Sequence, residues 1–168
     1  FYRASIRVLW TSVQWRNLAW TDSFLSEFDR YGHYTVELHE NYTVDLERIA
    51  RVCTNLRELR LNWTPIVDEK LAGILQTSPK ITSLFLHSCR ALTSISLLHI
   101  ANHTALKHLE IKNMIYIDEP SFVILLKSCP LLEHLTLEDV RLDRIALNSL
   151  GSTPLNIRTL ALTRSSPP

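Results

Sequence analysis

The side chains in this chain with the means to do chemistry are His87, His108 and His134, the thiol of Cys89, and the paired carboxylates Asp118-Glu119 and Glu138-Asp139. If the two lie on adjacent strands, His108 and His134 stand about 5 Å apart in one column, close enough to share a metal. Glu110 is near, but no cysteine or carboxylate completes a closed tetrahedral set at a workable spacing, so solvated or lightly hydrogen-bonded histidines are expected. His87-Ser88-Cys89 has the look of a nucleophile beside a base. Its position in the pattern described below places Cys89 in the core, where an apolar setting makes a thiol inert. The paired carboxylates fall where turns are expected, and there capping free N–H groups accounts for them. Only three glycines are present, which leaves no Gly-rich loop for phosphates. No catalytic residue, metal or cofactor is expected; the chain is not read as an enzyme.

What positions these residues is a phrase repeated five times. It reads Leu56-x-x-Leu59-x-Leu61, Ile81-x-x-Leu84-x-Leu86, Leu106-x-x-Leu109-x-Ile111, Leu132-x-x-Leu135-x-Leu137 and Ile157-x-x-Leu160-x-Leu162. The middle residues follow one another at steps of 25, 25, 26 and 25, inside the 20–29 residue range of leucine-rich repeats. Within each phrase the leucines alternate with period two, as in a strand that turns one face to a core. The leading Leu or Ile enters the same core from the end of the preceding helix. Stacked units bury their apolar faces only against neighbours. The expected fold is therefore α/β: a leucine-rich-repeat solenoid with a parallel sheet on its concave face and helices on its convex face. It should comprise about 6–7 repeats of 23–26 residues.

Composition limits the remaining options. The chain has 168 residues, 46% of them hydrophobic, and a formal net charge of +1, which suits one ordered domain with a sizeable core. No block of Lys and Arg marks a nucleic-acid or membrane surface. The run Phe122-Val123-Ile124-Leu125-Leu126 is far short of the ~20 residues that cross a bilayer. Cys53, Cys89 and Cys129 form an odd, widely spaced set unlike a disulfide framework or a zinc pair. Cys53 and Cys129 each stand three residues before a leading Leu. All three are expected to be reduced and buried, which favours a cytoplasmic or nuclear setting.

The pattern extends backward. Val36-x-Leu38 precedes Leu59 by 23 residues, and Val13-x-Trp15 lies another 23 upstream. Strands are expected near 12–15, 34–38, 58–62, 83–87, 108–112, 134–138 and 159–163. Leu71, Ile74 and Leu75 share one helical face, as do Phe122, Leu125 and Leu126. Asp68 and Asp118 are placed to cap these helices, with Pro120 in a first turn. Thr21-Asp22-Ser23 marks a further helix start, and Trp10, Trp15 and Trp20 cluster as core of the first unit. Both ends read as cut, with the last strand running into Ser165-Ser166-Pro167-Pro168 and no covering helix.

These residues carry a resemblance. Ile66-Val-Asp68-Glu-Lys-Leu71-Ala-Gly-Ile74-Leu75 and Ile117-Asp118-Glu-Pro-Ser-Phe122-Val-Ile-Leu125-Leu126-Lys-Ser-Cys129-Pro130 resemble the second half of the cysteine-containing leucine-rich repeat, and Leu84-Phe-Leu86-His-Ser-Cys89 resembles its strand ending. That subclass is typical of F-box/leucine-rich-repeat proteins, and the likeness covers about residues 34–163. Phe1-Tyr2-Arg3-Ala4-Ser5-Ile6-Arg7-Val8-Leu9-Trp10 is similar to the tail of an F-box. The division is thus 1–16, F-box-like tail and first strand, and 17–168, repeat domain. The resemblance implies the substrate receptor of an SCF-type ubiquitin ligase. Such a receptor does no bond chemistry; it gives proximity, raising the substrate's local concentration. A Skp-family adaptor and a cullin would be reached only through F-box residues upstream of this chain. The alternative is a leucine-rich-repeat scaffold that binds a protein partner with no ubiquitin role.

The strand geometry names the binding face independently of the family. Residues between and beside the inward leucines point outward, giving Glu37, Glu58, Arg60, Asn62, Ser83, Phe85, His87, His108, Glu110, Lys112, His134, Thr136 and Glu138 as candidate protein-binding positions. Phe85 beside Arg60 and Glu110 has the character of an apolar anchor ringed by charge.

Overall fold

The computed structural model of the protein describes residues 9–15, 21–41, 45–114, 117–140 and 156–163. Within them the chain forms seven strands: β1 (Ser12–Trp15), β2 (Glu37–Asn41), β3 (Glu58–Asn62), β4 (Ser83–His87), β5 (His108–Lys112), β6 (His134–Glu138) and β7 (Thr159–Thr163). They make one all-parallel sheet in chain order. The fold is α/β. Between strands lie α1 (Asp22–Tyr31) with a 3-10 turn (Gly32–Tyr34), α2 (Leu46–Val52), α3 (Asp68–Thr77), α4 (Ser94–Ala101) and α5 (Glu119–Ser128). From α2 onward, each helix packs on the next along the chain.

The repeated phrase acts as its chemistry requires. Leu59, Leu84, Leu109, Leu135 and Leu160 are cross-strand partners. The leucines of β3 to β6 are buried while their strand neighbours are not, so each strand alternates inward and outward. The leading residues Leu56, Ile81, Leu106 and Leu132 are buried with them. Helical residues Leu71, Ile74, Leu75, Phe122, Leu125 and Leu126 complete the same core. Each such leucine contributes about 1.5–3 kcal/mol by leaving water. Trp10 packs on that core, its ring 5.7 Å from Phe24 and 6.0 Å from Phe28. The side chains of Trp15 and Trp20 lie outside the described residues, as does the F-box-like stretch 1–8.

Polar groups tie each unit to the next. The Arg57 carbonyl accepts from the N–H groups of Thr82 and Ser83, and Thr82, Lys107 and Glu133 do the same one unit further on each time. After each of β3 to β6 one residue turns left-handed: Trp63 (φ 55°), Ser88 (54°), Asn113 (54°) and Asp139 (53°). That turn lets their N–H groups extend the ladder, donating to the carbonyls of His87, Lys112, Glu138 and Thr163. A buried column sits three residues before the leading position: Gly32, Cys53, Ser78, His103 and Cys129. Ser78 Oγ donates to the Cys53 carbonyl at 2.7 Å, and Cys129 Sγ lies 3.7 Å from the His103 carbonyl. All three thiols are free and buried. Gly32 is required by space, since a Cβ there would stand 2.4 Å from Val52 Cγ1.

Three expectations need correction. The second strand is Glu37–Asn41, not 34–38, because Leu38 rather than Val36 pairs with Leu59. With that register, Thr35 is fully buried in the slot that Leu or Ile holds in later units. Val36 takes the strand-entry place, its carbonyl accepting from Arg57 and Glu58. Asp68 does not cap its own helix; α3 begins after Val67 with no side-chain cap. Its carboxylate reaches forward instead, to Thr93 N at 2.9 Å and Thr93 Oγ1 at 2.6 Å. Glu138 does not lie in a turn but ends β6. Asp118 and Thr21 do cap their helices, accepting from Ser121 N and Phe24 N, and Pro120 sits in the first turn of α5.

Candidate functional site

Opposite the helices, the sheet presents three columns of side chains. Strand register builds the first from Glu37, Glu58, Ser83, His108, His134 and Thr159. The middle column runs His39, Arg60, Phe85, Glu110, Thr136 and Ala161, and the third has Asn62, His87, Lys112, Glu138 and Thr163. Every candidate position named from sequence lies on this face and is half-buried. The register shift moves Glu37 from the middle column to the first, beside Glu58. His39 takes the place next to Arg60.

Charges on the face satisfy one another. Glu58 Oε1 accepts from Arg60 Nε at 2.6 Å and sits 2.9 Å from His39 Nε2. Burial alone would raise the Glu58 carboxyl, but Arg60 and His39 together hold it below its ordinary range. The Arg60 guanidinium also lies over Phe85, its central carbon 3.4 Å from the ring centre. Phe85 is therefore not the bare anchor its position suggests; a cation roofs it, the attraction to the ring face being worth about 0.5–1 kcal/mol at such partly exposed sites. Lys112 Nζ bridges Glu110 at 2.8 Å and Glu138 at 3.1 Å. Burial again works against the Glu110 carboxylate, and Lys112 and His87 outweigh it, so its pKa falls. His87 Nε2 lies 2.8 Å from Glu110 Oε1 but is not aligned on it as a hydrogen bond. Burial pushes the His87 pKa down despite that neighbour.

His108 and His134 stack ring on ring, centroids 4.4 Å apart and 13° from parallel. That geometry matches the single column expected of them, and it is face-to-face packing rather than two lone pairs converging on one point. Among the described residues no group of three His, Cys, Asp or Glu could hold a metal ion. Cys89 is in the core, its pKa driven up by burial to about 11. Its sulfur lies 3.6 Å from the Leu61 carbonyl, so the adjacent His87 does not address it as a base. Sequence reasoning missed two features of this face. One is the place of His39 beside Arg60 and against Glu58, hidden because Thr35 breaks the phrase that would have set the register. The other is Trp63, half-exposed at the strand ends with the Arg90 guanidinium 5.8 Å from its ring.

No family model matches this chain, and no curated protein matches it either. Among the described residues no helix is long and apolar enough to cross a membrane.

Proposed function

We propose that this chain is a stretch of leucine-rich-repeat solenoid and that the open face of its sheet holds a protein. Supporting the solenoid reading are a sheet that winds strictly in chain order and a core of equivalent residues at 25-residue steps. The observation that carries the binding reading is the uniform face. Its outward residues from Glu37 to Glu138 are half-buried, locked in register, and hold a charge-covered aromatic at the centre. Side chains pinned by neighbours lose little freedom when a partner arrives, which favours association. Within this reading the chain is the substrate-recognition part of an SCF-type ubiquitin ligase, located in cytoplasm or nucleus. The resemblance of residues 1–10 to an F-box tail supports this, and residues 9–11 are helical and run straight into β1.

The test of the face is a Phe85→Asp, Arg60→Glu double variant. Partner capture should be lost while the circular dichroism spectrum of the folded chain is kept; undiminished capture removes this face from consideration. The ubiquitin role is tested separately, by pull-down of a chain extended upstream of Phe1. Co-purification of a Skp-family adaptor and a cullin supports the ligase reading, whereas partner capture without them assigns the chain to a scaffold.

A further inference from the structure

The edge of the sheet where strands begin holds a cavity of about 260 Å³, whose lining residues Val36 and Arg57 directly precede Glu37 and Glu58 of the first column. Arg57, Lys80, His33, Asn55, Tyr34 and Val36 contribute to its wall, and among the described residues no carboxylate does. Elsewhere, among the described residues, Arg48, Arg51, Arg60, Lys70, Lys112 and Arg158 each have an acid within ion-pair distance, while Arg30, Arg90, Lys107 and Lys127 do not. Among the described residues neither Arg57 nor Lys80 has one either. Among the described residues the one side-chain bond of Lys80 is to Asn55 Oδ1 at 3.0 Å, while the other end of that amide donates to the His33 carbonyl at 2.9 Å. Asn55 is thus held at both ends and fixes the ammonium at the rim. Two ammonium protons and the whole Arg57 fork stay unspent among the described residues.

We propose that this cavity binds a small phosphate monoester. Two permanent cations with no counter-charge suit a dianion, and a guanidinium fork beside an ammonium matches phosphoryl oxygens. The space exceeds what one ion fills, since a water's share of volume is only ~30 Å³. Val36 and the Tyr34 ring, which lies 4.0 Å from the His33 ring, supply a wall for a compact organic body. The inference does not depend on the sheet face or on any ubiquitin role.

Titration calorimetry of the full chain at low salt, with phenyl phosphate and inorganic phosphate as probes, tests it. Phenyl phosphate should bind saturably at one site, with inorganic phosphate weaker. Because each charge-assisted contact is worth about tenfold, an Arg57→Gln, Lys80→Gln variant should bind roughly 100-fold more weakly with an unchanged melt. A Lys127→Gln variant should bind as the parent does, and so should the Phe85→Asp, Arg60→Glu variant. Absence of saturable binding, or equal affinity in the Arg57, Lys80 variant, overturns the site. A phosphotyrosine peptide binding more tightly than phenyl phosphate overturns the small-molecule assignment.

Discussion

The carboxylate of Asp68 is committed to Thr93, the residue that opens the next helix, through both of its oxygens. Asp68 is 7% exposed, so these two bonds replace most of its hydration. Hydrogen bonds to a charged group are each worth about 1.5–3 kcal/mol, and Asp68→Ala also leaves the Thr93 N–H without its partner. We expect that substitution to cost about 2–4 kcal/mol in urea unfolding. Asp68→Asn, which keeps one acceptor, should cost less than half as much. Equal loss from both would mean that shape, not acceptance of these bonds, is what the site requires.

Leu109 and Leu160 occupy the same place in the phrase but not in the core. Leu109 is 2% exposed between two flanking strands, and Leu160 is 45% exposed in β7. Leu109→Ala should therefore cost about 2–5 kcal/mol, from lost transfer energy and a cavity. The same change at Leu160 should cost about 1 kcal/mol or less. Chemical denaturation of the two variants checks the contrast.

Acid should loosen this protein in two stages. Burial lowers the pKa of His87 and of His103, and burial followed by the neighbouring His134 lowers that of His108, all from 6.5. The unfolded chain then binds more protons than the native one as pH falls through 6.5, so stability declines until the folded pKa values are passed. Glu58 and Glu110 have pKa values below 4.5, so their contribution is present above that value and is lost as pH falls through the lower folded ones. The urea midpoint should drop between pH 7.5 and 5.5, then drop again below 4.5. Of these histidines His103 is the one in the buried column, and among the described residues it has no ionic partner. His103→Gln should make the first stage shallower, His87 and His108 supplying what remains, without altering the second.

The thiols offer a direct readout of the core. Burial raises Cys53 to about 12, and Cys89 and Cys129 to about 11. At pH 8 the thiolate fraction of each is ~0.001 or less, and thiolate is the reactive form. Maleimide should leave the native protein unlabelled for hours and label all three cysteines within minutes in denaturant. Rapid native labelling of one would place it outside the core.

How much of this was legible in the sequence depends on where a phrase is intact. From Leu56 onward it is complete, and the strands of β3 to β7 fall where the leucines put them. Upstream, Thr35 fills a slot that calls for an aliphatic side chain, and Glu40 stands where a second leucine should be. A two-residue slide preserves alternation, so period-two patterning cannot choose between Val36 and Leu38 as the inward pair. Backbone bonding decides it, with Thr11 holding Val36 at the strand entry. Roles that join neighbouring units were equally hidden. Asp68 has the sequence look of a cap for its own helix, and only the stacking shows that it serves another. The pairing of Arg60 with Phe85 was implied by position, but a strand pattern names neighbours, not which one covers which.

The forward reach of Asp68 also makes the tiers of this molecule keyed rather than exchangeable. Thr93 opens one helix, and in the tier beyond it Asp118 opens the next. Excising the intervening layer would bring Asp68 against another acid instead of a hydroxyl and an N–H. Shuffling or trimming layers, which the even spacing of the leucines would seem to permit, is thereby penalised by mismatched ends.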